Sequence, residues 1–141
     1  MKVEQILQTK GVEVFAVSGE ARISDAVDLL HDRNIGAVVV KNGGEVVGIL
    51  SERDIVRHLK RHGAGVLART VRECMTTEVR TCGRDATIDE LMGEMTRRRI
   101  RHIPVIEKGE LVGLVSIGDI VKRKIEEAEL EAQALKEYIA S

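Results

Sequence analysis

The sequence predicts an α/β protein built from two strand-helix-strand-strand-helix units related by a pseudo-twofold axis. First, the chain repeats itself. A shift of 65 positions lays Val47-Gly48-Ile49-Leu50-Ser51-Glu52-Arg53-Asp54-Ile55-Val56 on Val112-Gly113-Leu114-Val115-Ser116-Ile117-Gly118-Asp119-Ile120-Val121 without a gap. The same register runs upstream through Val14/Val79, Ala21/Ala86, Ile23/Ile88, Ile35/Ile100 and Val40/Val105, and a repeat of this kind outranks any single motif. Second, each copy passes from helically spaced apolar residues to short continuous apolar runs. Third, residues that tolerate positive φ sit between those runs, Asn42-Gly43-Gly44 in one copy and Lys108-Gly109 in the other, as a tight hairpin requires.

Taken in order, the first copy opens with a short strand around Val14-Phe15-Ala16-Val17. Ile23, Ala26, Val27, Leu29 and Leu30 recur at helical spacing and predict a helix. Gly36-Ala37-Val38-Val39-Val40 and Val46-Val47-Gly48-Ile49-Leu50 read as the two arms of a hairpin. Ser51 then opens a helix that runs through about Arg61. The second copy is expected to repeat this order: a strand at 79–81, a helix at 87–99, strands at 102–106 and 111–115, and a helix from Ser116. The resulting division is a first repeat at 1–62, a linker at 63–70, a second repeat at 71–125 and a helical extension at 126–141. Neither sheet can cover its apolar face alone, so the two units are expected to pack together. In the last helix Val121, Ile125, Ala128, Ala132, Leu135 and Ile139 alternate spacings of four and three. That is a coiled-coil-like stripe, and so long a charged helix calls for a partner, here a second copy of the chain.

Composition narrows the function. The 141 residues suit one compact domain, and each half alone is of marginal size. With one Phe and one Tyr, any base-binding pocket is expected to be aliphatic. The 22 basic and 23 acidic residues leave a net charge of −1, so there is neither an electrostatic footprint nor a stacking platform for nucleic acid. Cys74 and Cys82 lack CxxC spacing and read as ordinary residues of a reducing compartment. The start lacks signal-peptide character and no apolar run approaches a membrane span, so a soluble, cytoplasmic protein is expected.

The chemistry is expected at the doubled Gly-x-x-Ser-x-x-Asp. A Ser at a helix N-cap with an acid three residues on also fits a capping box. Three features favour a ligand. Asp suits the reciprocal cap bond less well than Glu. Gly48 and Gly113 weaken a strand interior unless the backbone bulges or something approaches closely. Both copies also keep Gly, Ser and Asp in one register. A helix start favours phosphate oxygens beside Ser51 or Ser116. A carboxylate one turn in, Asp54 or Asp119, accepts two hydrogen bonds from a vicinal diol such as that of ribose. The strands Ala37-Val38-Val39 and Ile103-Pro104-Val105 are placed to clamp a flat base.

The doubled motif, the Arg101-His102-Ile103-Pro104-Val105 strand and the repeated element order resemble the tandem CBS-domain pair, or Bateman module, over about residues 1 to 125. The likeness is greatest to the small bacterial proteins made of that pair alone. It implies adenosyl ligands: AMP, ADP or ATP, in some pairs NAD(H), and less favourably S-adenosylmethionine. It also implies a disc-shaped homodimer and binding without turnover. On the family pattern Asp54 and Asp119 hold ribose, Ser51 and Ser116 approach phosphate, and Val38 and Ile103 contact adenine. The copies differ where Gly36-Ala37 matches Arg101-His102 and Arg53 matches Gly118, so their clefts are expected to be unequal. Arg53 and Arg101 are candidates for phosphate charge, as are Lys10 and His102.

Such a module acts as a nucleotide sensor that signals to a separate protein effector through a change of shape. Two alternatives compete with it, a ligand-free assembly protein driven by the last helix and a nucleotide-hydrolysing enzyme. Against the enzyme, no nucleophile-base pair, metal-ligand cluster or Walker-type loop is apparent. His58 and His62 lack a third ligand for zinc. The run Arg97-Arg98-Arg99-Ile100-Arg101 reads as the solvated end of a helix.

Overall fold

The computed structural model describes residues 1–11 and 13–141. Helix α1 (Val3–Lys10) precedes strand β1 (Ala16–Ser18), helix α2 (Ile23–Arg33), the hairpin β2 (Ala37–Asn42) and β3 (Glu45–Ser51), and helix α3 (Glu52–His62). A 3₁₀ segment (Gly63–Ala68) and one turn of helix, α4 (Val71–Cys74), lead into the second unit. That unit holds helix α5 (Ile88–Arg98), the hairpin β4 (His102–Glu107) and β5 (Glu110–Ser116), and the long helix α6 (Ile117–Ala140). Both hairpins turn where the sequence places them, through Gly43 and Gly44 at φ of 64° and 126° and through Lys108 and Gly109 at 51° and 77°. Helix α1 carries no repeat signal and is absent from the sequence expectation.

The sheets differ in one respect. β1, β2 and β3 form a three-stranded sheet, whereas the second sheet is β4–β5 alone. The strand expected at 79–81 is reduced to a single parallel bridge between Cys82 and Val105. Pro104 removes one end of the pairing. In the first unit Val39 N–H donates to the Phe15 carbonyl at 3.2 Å and ties β1 to β2. The residue matching Val39 is Pro104, which has no N–H to give, so pairing begins only at Cys82; beyond it Arg84 N–H donates to Glu107 Oε1 at 2.6 Å and not to a strand carbonyl. Each hairpin has one bulge, at Val40/Lys41 and at Val105/Ile106, immediately beside Gly48 and Gly113 on the facing strand.

Two apolar cores form, one per unit, and each borrows a segment from outside its own hairpin. Ile23, Ala26, Val38, Val40 and Leu50 pack with Val66, Val71 and Cys74. Ile88, Leu91, Ile103, Val105, Val115 and Ile120 pack with Val3, Ile6 and Leu7 of α1. The backbone seals both exchanges alike: Ile23 N–H donates to Arg69 O and Ile88 N–H to Met1 O, each at 2.9 Å. The stretch expected as a linker thus places Val66 fully in the first core. Its apolar residues, Ala64, Val66, Leu67 and Ala68, sit in a stretch too short to show a period. Beyond Glu127 every residue of α6 is exposed, and Ile125, Leu130, Leu135 and Ile139 stay outside either core.

Candidate functional site

The loop from β3 into α3 holds Ser51 in extended backbone as the N-cap of α3. Its hydroxyl oxygen accepts from Asp54 N–H at 3.2 Å, and the Asp54 Oδ2 accepts from Ser51 N–H at 2.9 Å. Ser51 Oγ also lies 3.0 Å from Oδ2, in reach to donate to it. The other carboxylate oxygen, Oδ1, accepts from Thr76 Oγ1 at 3.0 Å and faces Arg57 at 3.4 Å. Asp54, 4% exposed, is the one charged side chain buried among the described residues, and its acceptor sites are all engaged by the protein.

The second copy builds the same cap with other neighbours. Ser116 N–H donates to Asp119 Oδ2 at 2.8 Å and Asp119 N–H donates to Ser116 Oγ at 3.1 Å. Lys10 Nζ then bonds Asp119 Oδ2 and the Leu114 carbonyl, both at 2.7 Å. The structure departs from two expectations set against a plain cap. Asp reaches the N-cap N–H in both copies, so the short side chain does not exclude the box. The glycines make room for the chain itself. A Cβ on Gly48 would lie 2.8 Å from the Thr76 carbonyl and 2.7 Å from Met75 Sδ, and one on Gly113 would collide with Leu7 Cδ2.

An open cleft of about 570 Å³ lies between the units, a size that suits a small-molecule ligand. The first unit contributes Gly36, Ile49, Ser51, Arg53 and Asp54, and the second contributes Val79, Ile100, Arg101, His102 and Ser116. The cleft therefore brings together Ser51, Arg53, Asp54, Arg101, His102 and Ser116. It leaves out the other candidates. Val38 and Ile103 point into the two cores at 0% and 1% exposure, and neither they nor Ala37 and Pro104, both buried, line the cleft. Val38 and Ile103 take the core-facing positions of their strands, and Ala37 and Pro104, one residue away on the opposite face, are covered as well. The apolar lining comes from Ile49, Val79, Ile100 and Ile117 instead. Asp119 and Lys10 pair with each other outside it.

Several lining residues escape the sequence reading. Thr76 follows the short α4 and aligns with Gly11, so the repeat hides it. The run at 97–101 is expected as a solvated helix end, and Arg97 and Arg98 bond Glu94 at 2.6 and 3.0 Å. Arg98 also lines the cleft, as does Arg99, which ends α5 in the left-handed region at φ of 55°. His102 packs against Gly36, where a Cβ would lie 3.5 Å from its Nε2. Burial holds this imidazole below its ordinary value; Lys10 adds to the effect, Asp119 opposes it, and Arg101 adds a little more. The ring is therefore neutral near pH 7.

The remaining reactive groups stand apart from the cleft. Cys74 belongs to the first core, and burial pushes its thiol up, as does Glu73. Cys82 packs on the second core and is pushed up to about 11, by burial and then Glu107. Both are thiols rather than reactive thiolates at neutral pH. The His58 and His62 rings stack at 5.9 Å. Among the described residues no group of three or more His, Cys, Asp or Glu is placed to hold a metal ion. No helix among them is long and apolar enough to cross a membrane.

The family model for the CBS domain matches the chain twice, at residues 3–61 and 71–126. The chain belongs to the CBS-domain family. As a CBS pair it is similar to the CBS-domain containing protein ATU1752 from Agrobacterium tumefaciens, with a TM-score of 0.85 and 43% identity, over 87% of this chain and 92% of that one. It is 38% identical over 122 residues to the mitochondrial CBS domain-containing protein CBSX3 of Arabidopsis thaliana, covering 83% of this chain but 59% of that relative's length. The CBS-domain pair of protein MJ0100, solved with 5′-methylthioadenosine and S-adenosyl-L-methionine, superposes with a TM-score of 0.80 at 25% identity, over 90% of this chain and 98% of that one.

Proposed function

We propose that this CBS pair is an adenine-nucleotide sensor that binds AMP, ADP or ATP, or NAD(H), in the cleft between its units and passes occupancy to a separate effector protein. The observation that carries this reading is the cleft around Asp54. A buried carboxylate at a helix start, aliphatic walls from both units and arginines at the rim match a diol, a base and a phosphate. The MJ0100 pair supports an adenosyl ligand. A cationic sulfonium such as S-adenosylmethionine fits an arginine-lined rim less well than a nucleotide does.

Binding is an exchange in this reading. A ribose diol takes the place of the Thr76 hydroxyl and of Arg57 on Asp54 Oδ1. Thr76 is bonded through its backbone to Ile49, with N–H···O distances of 2.9 and 3.0 Å in the two directions, and it sits on the segment joining the units. Occupancy is thereby linked to how the units pack, and a partner that prefers one packing reads the ligand level. Nothing in this scheme breaks a bond, so binding without turnover is expected. Calorimetric titration with AMP, ATP, NADH and S-adenosylmethionine tests it, with micromolar binding of at least one nucleotide as the expected outcome. No binding of any of the four, by calorimetry or by ligand-induced thermal shift, refutes the sensor.

A homodimer belongs to the same proposal. The exposed stripe Ile125, Leu135 and Ile139 of α6 supports pairing with a second copy. Ending the chain after Lys124 is expected to leave the melting temperature nearly unchanged, because the removed side chains lie largely outside the cores, and to halve the mass seen by light scattering. An unaltered dimer would remove the helix as the assembly device.

A further inference from the structure

Helices α3 and α6 hold the same place in the repeat but part in charge. The 65-position shift matches Ile55 with Ile120 and Val56 with Val121, then sets Arg61 against Glu126 and His62 against Glu127. None of these last four is buried, so core packing does not call for the difference. Each helix also leaves an apolar stripe bare. On α3 it is Val56 and Leu59, 64% and 45% exposed, and on α6 it is the stripe through Ile125, Leu135 and Ile139.

The stripes are bordered by opposite charges. On α3, Lys60 stands one turn beyond Val56, and Arg57 and Arg61 continue the exposed face on that side. Arg57 faces Asp54, whereas Lys60 and Arg61 have no carboxylate within salt-bridge reach among the described residues. On α6, Glu126 and Glu127 are met by Arg123 and Lys124 of the same helix. Glu129 and Glu131 are exposed, flank the stripe on either side, and have no such partner among the described residues. Exposed apolar surface with a polar rim is the mark of a contact face.

We propose that the α6 stripe docks on α3 of a second copy, so that the dimer is held by two reciprocal contacts, α3 on the partner's α6 and α6 on the partner's α3. This rests on the homodimer reading and names the faces that meet. Charge selects α3. The stretch 126–137 holds five glutamates and one lysine, and α3 offers unpaired basic groups beside its own apolar stripe. Pairing α3 with α3 would set one basic face on another, and pairing α6 with α6 would leave Val56 and Leu59 bare. A twofold axis closes the reciprocal arrangement, because each copy gives both faces and keeps neither free to add a third chain. The partner's helix then lies on the helix whose first turn holds Asp54.

The test is self-association of the full chain at low salt, followed by analytical ultracentrifugation. It compares the native protein, Lys60→Glu/Arg61→Glu, Glu129→Lys/Glu131→Lys, and an equimolar mixture of the two variants. All four side chains are exposed, so a native circular dichroism spectrum is expected of both variants. Each variant alone sets like charges together at both contacts and is expected to dissociate at least about tenfold more readily. In the mixture, a dimer of one variant with the other restores opposite charges at both contacts, and near-native affinity is expected. If the α3 variant dimerises as the native chain does, or if the mixture stays dissociated, α3 is not the docking face while the homodimer reading stands. A native chain that is monomeric at every concentration overturns both.

Discussion

Asp54→Ala is expected to weaken nucleotide binding by at least about thirtyfold, and to lower the stability of the empty protein as well. Truncating one partner of a buried charged hydrogen bond costs about 2–5 kcal/mol of binding, much of it from partners left unpaired. The same carboxylate holds the α3 cap and the Thr76 hydroxyl, so its loss removes a helix cap and strands buried donors, together costing about 1–3 kcal/mol of folding free energy. Asp54→Asn separates the two effects, since the amide oxygen can still cap the helix while the charge is gone. Asp119→Ala supplies the contrast. Its carboxylate is more open, at 22% side-chain exposure, and is bonded to Lys10, so a smaller loss of affinity is expected. Titration and thermal melting of the three variants check this. Unchanged affinity in folded Asp54→Asn and Asp54→Ala would dispose of the ribose assignment.

Gly48→Ala is expected to destabilise the fold by about 1–3 kcal/mol, clearly more than Gly113→Ala does, although the two glycines occupy the same place in the repeat. At Gly48 the new methyl meets the Thr76 carbonyl, a backbone atom held by two hydrogen bonds to Ile49. To move it, the bridge between β3 and the connecting segment must open. At Gly113 every near atom belongs to the Leu7 side chain, whose tip can turn to another rotamer at lower cost. Denaturant unfolding of both variants measures the difference. Equal midpoints, or a larger loss for Gly113→Ala, would show that backbone contact is not what separates them.

The repeat made most of the fold legible, because matching apolar spacings and turn residues in two registers leave little freedom for the hairpins and the helices after them. It failed where the copies part company. Pro104 stands in the sequence as a residue without an N–H, yet its effect on the strand at 79–81 depends on knowing that Val39 donates to Phe15. Helix α1 and Val66 lie outside the repeating pattern, and their partners are distant in sequence. At the site, Ser51, Asp54, Arg53 and Arg101 were readable from spacing and charge. The burial of Val38 in the core was not, because an unbroken apolar run such as 37–40 hides which face turns inward. Thr76 and Arg99 needed the packing of one unit on the other.

The exchange of segments between the cores has a bearing on how this chain is made. When residue 62 leaves the ribosome, the first unit still awaits Val66, Val71 and Cys74, the residues that close it. Helix α1, synthesised ahead of both hairpins, stays idle until Val115 and Ile120 exist; Val3 and Ile120 lie 117 positions apart. Contacts so remote along the chain slow folding and bind the fate of each half to the other. A cut at any point between the two repeats leaves an orphaned helix on one fragment or an open core on the other, so the pair, and not the single repeat, is the smallest piece that can stand alone.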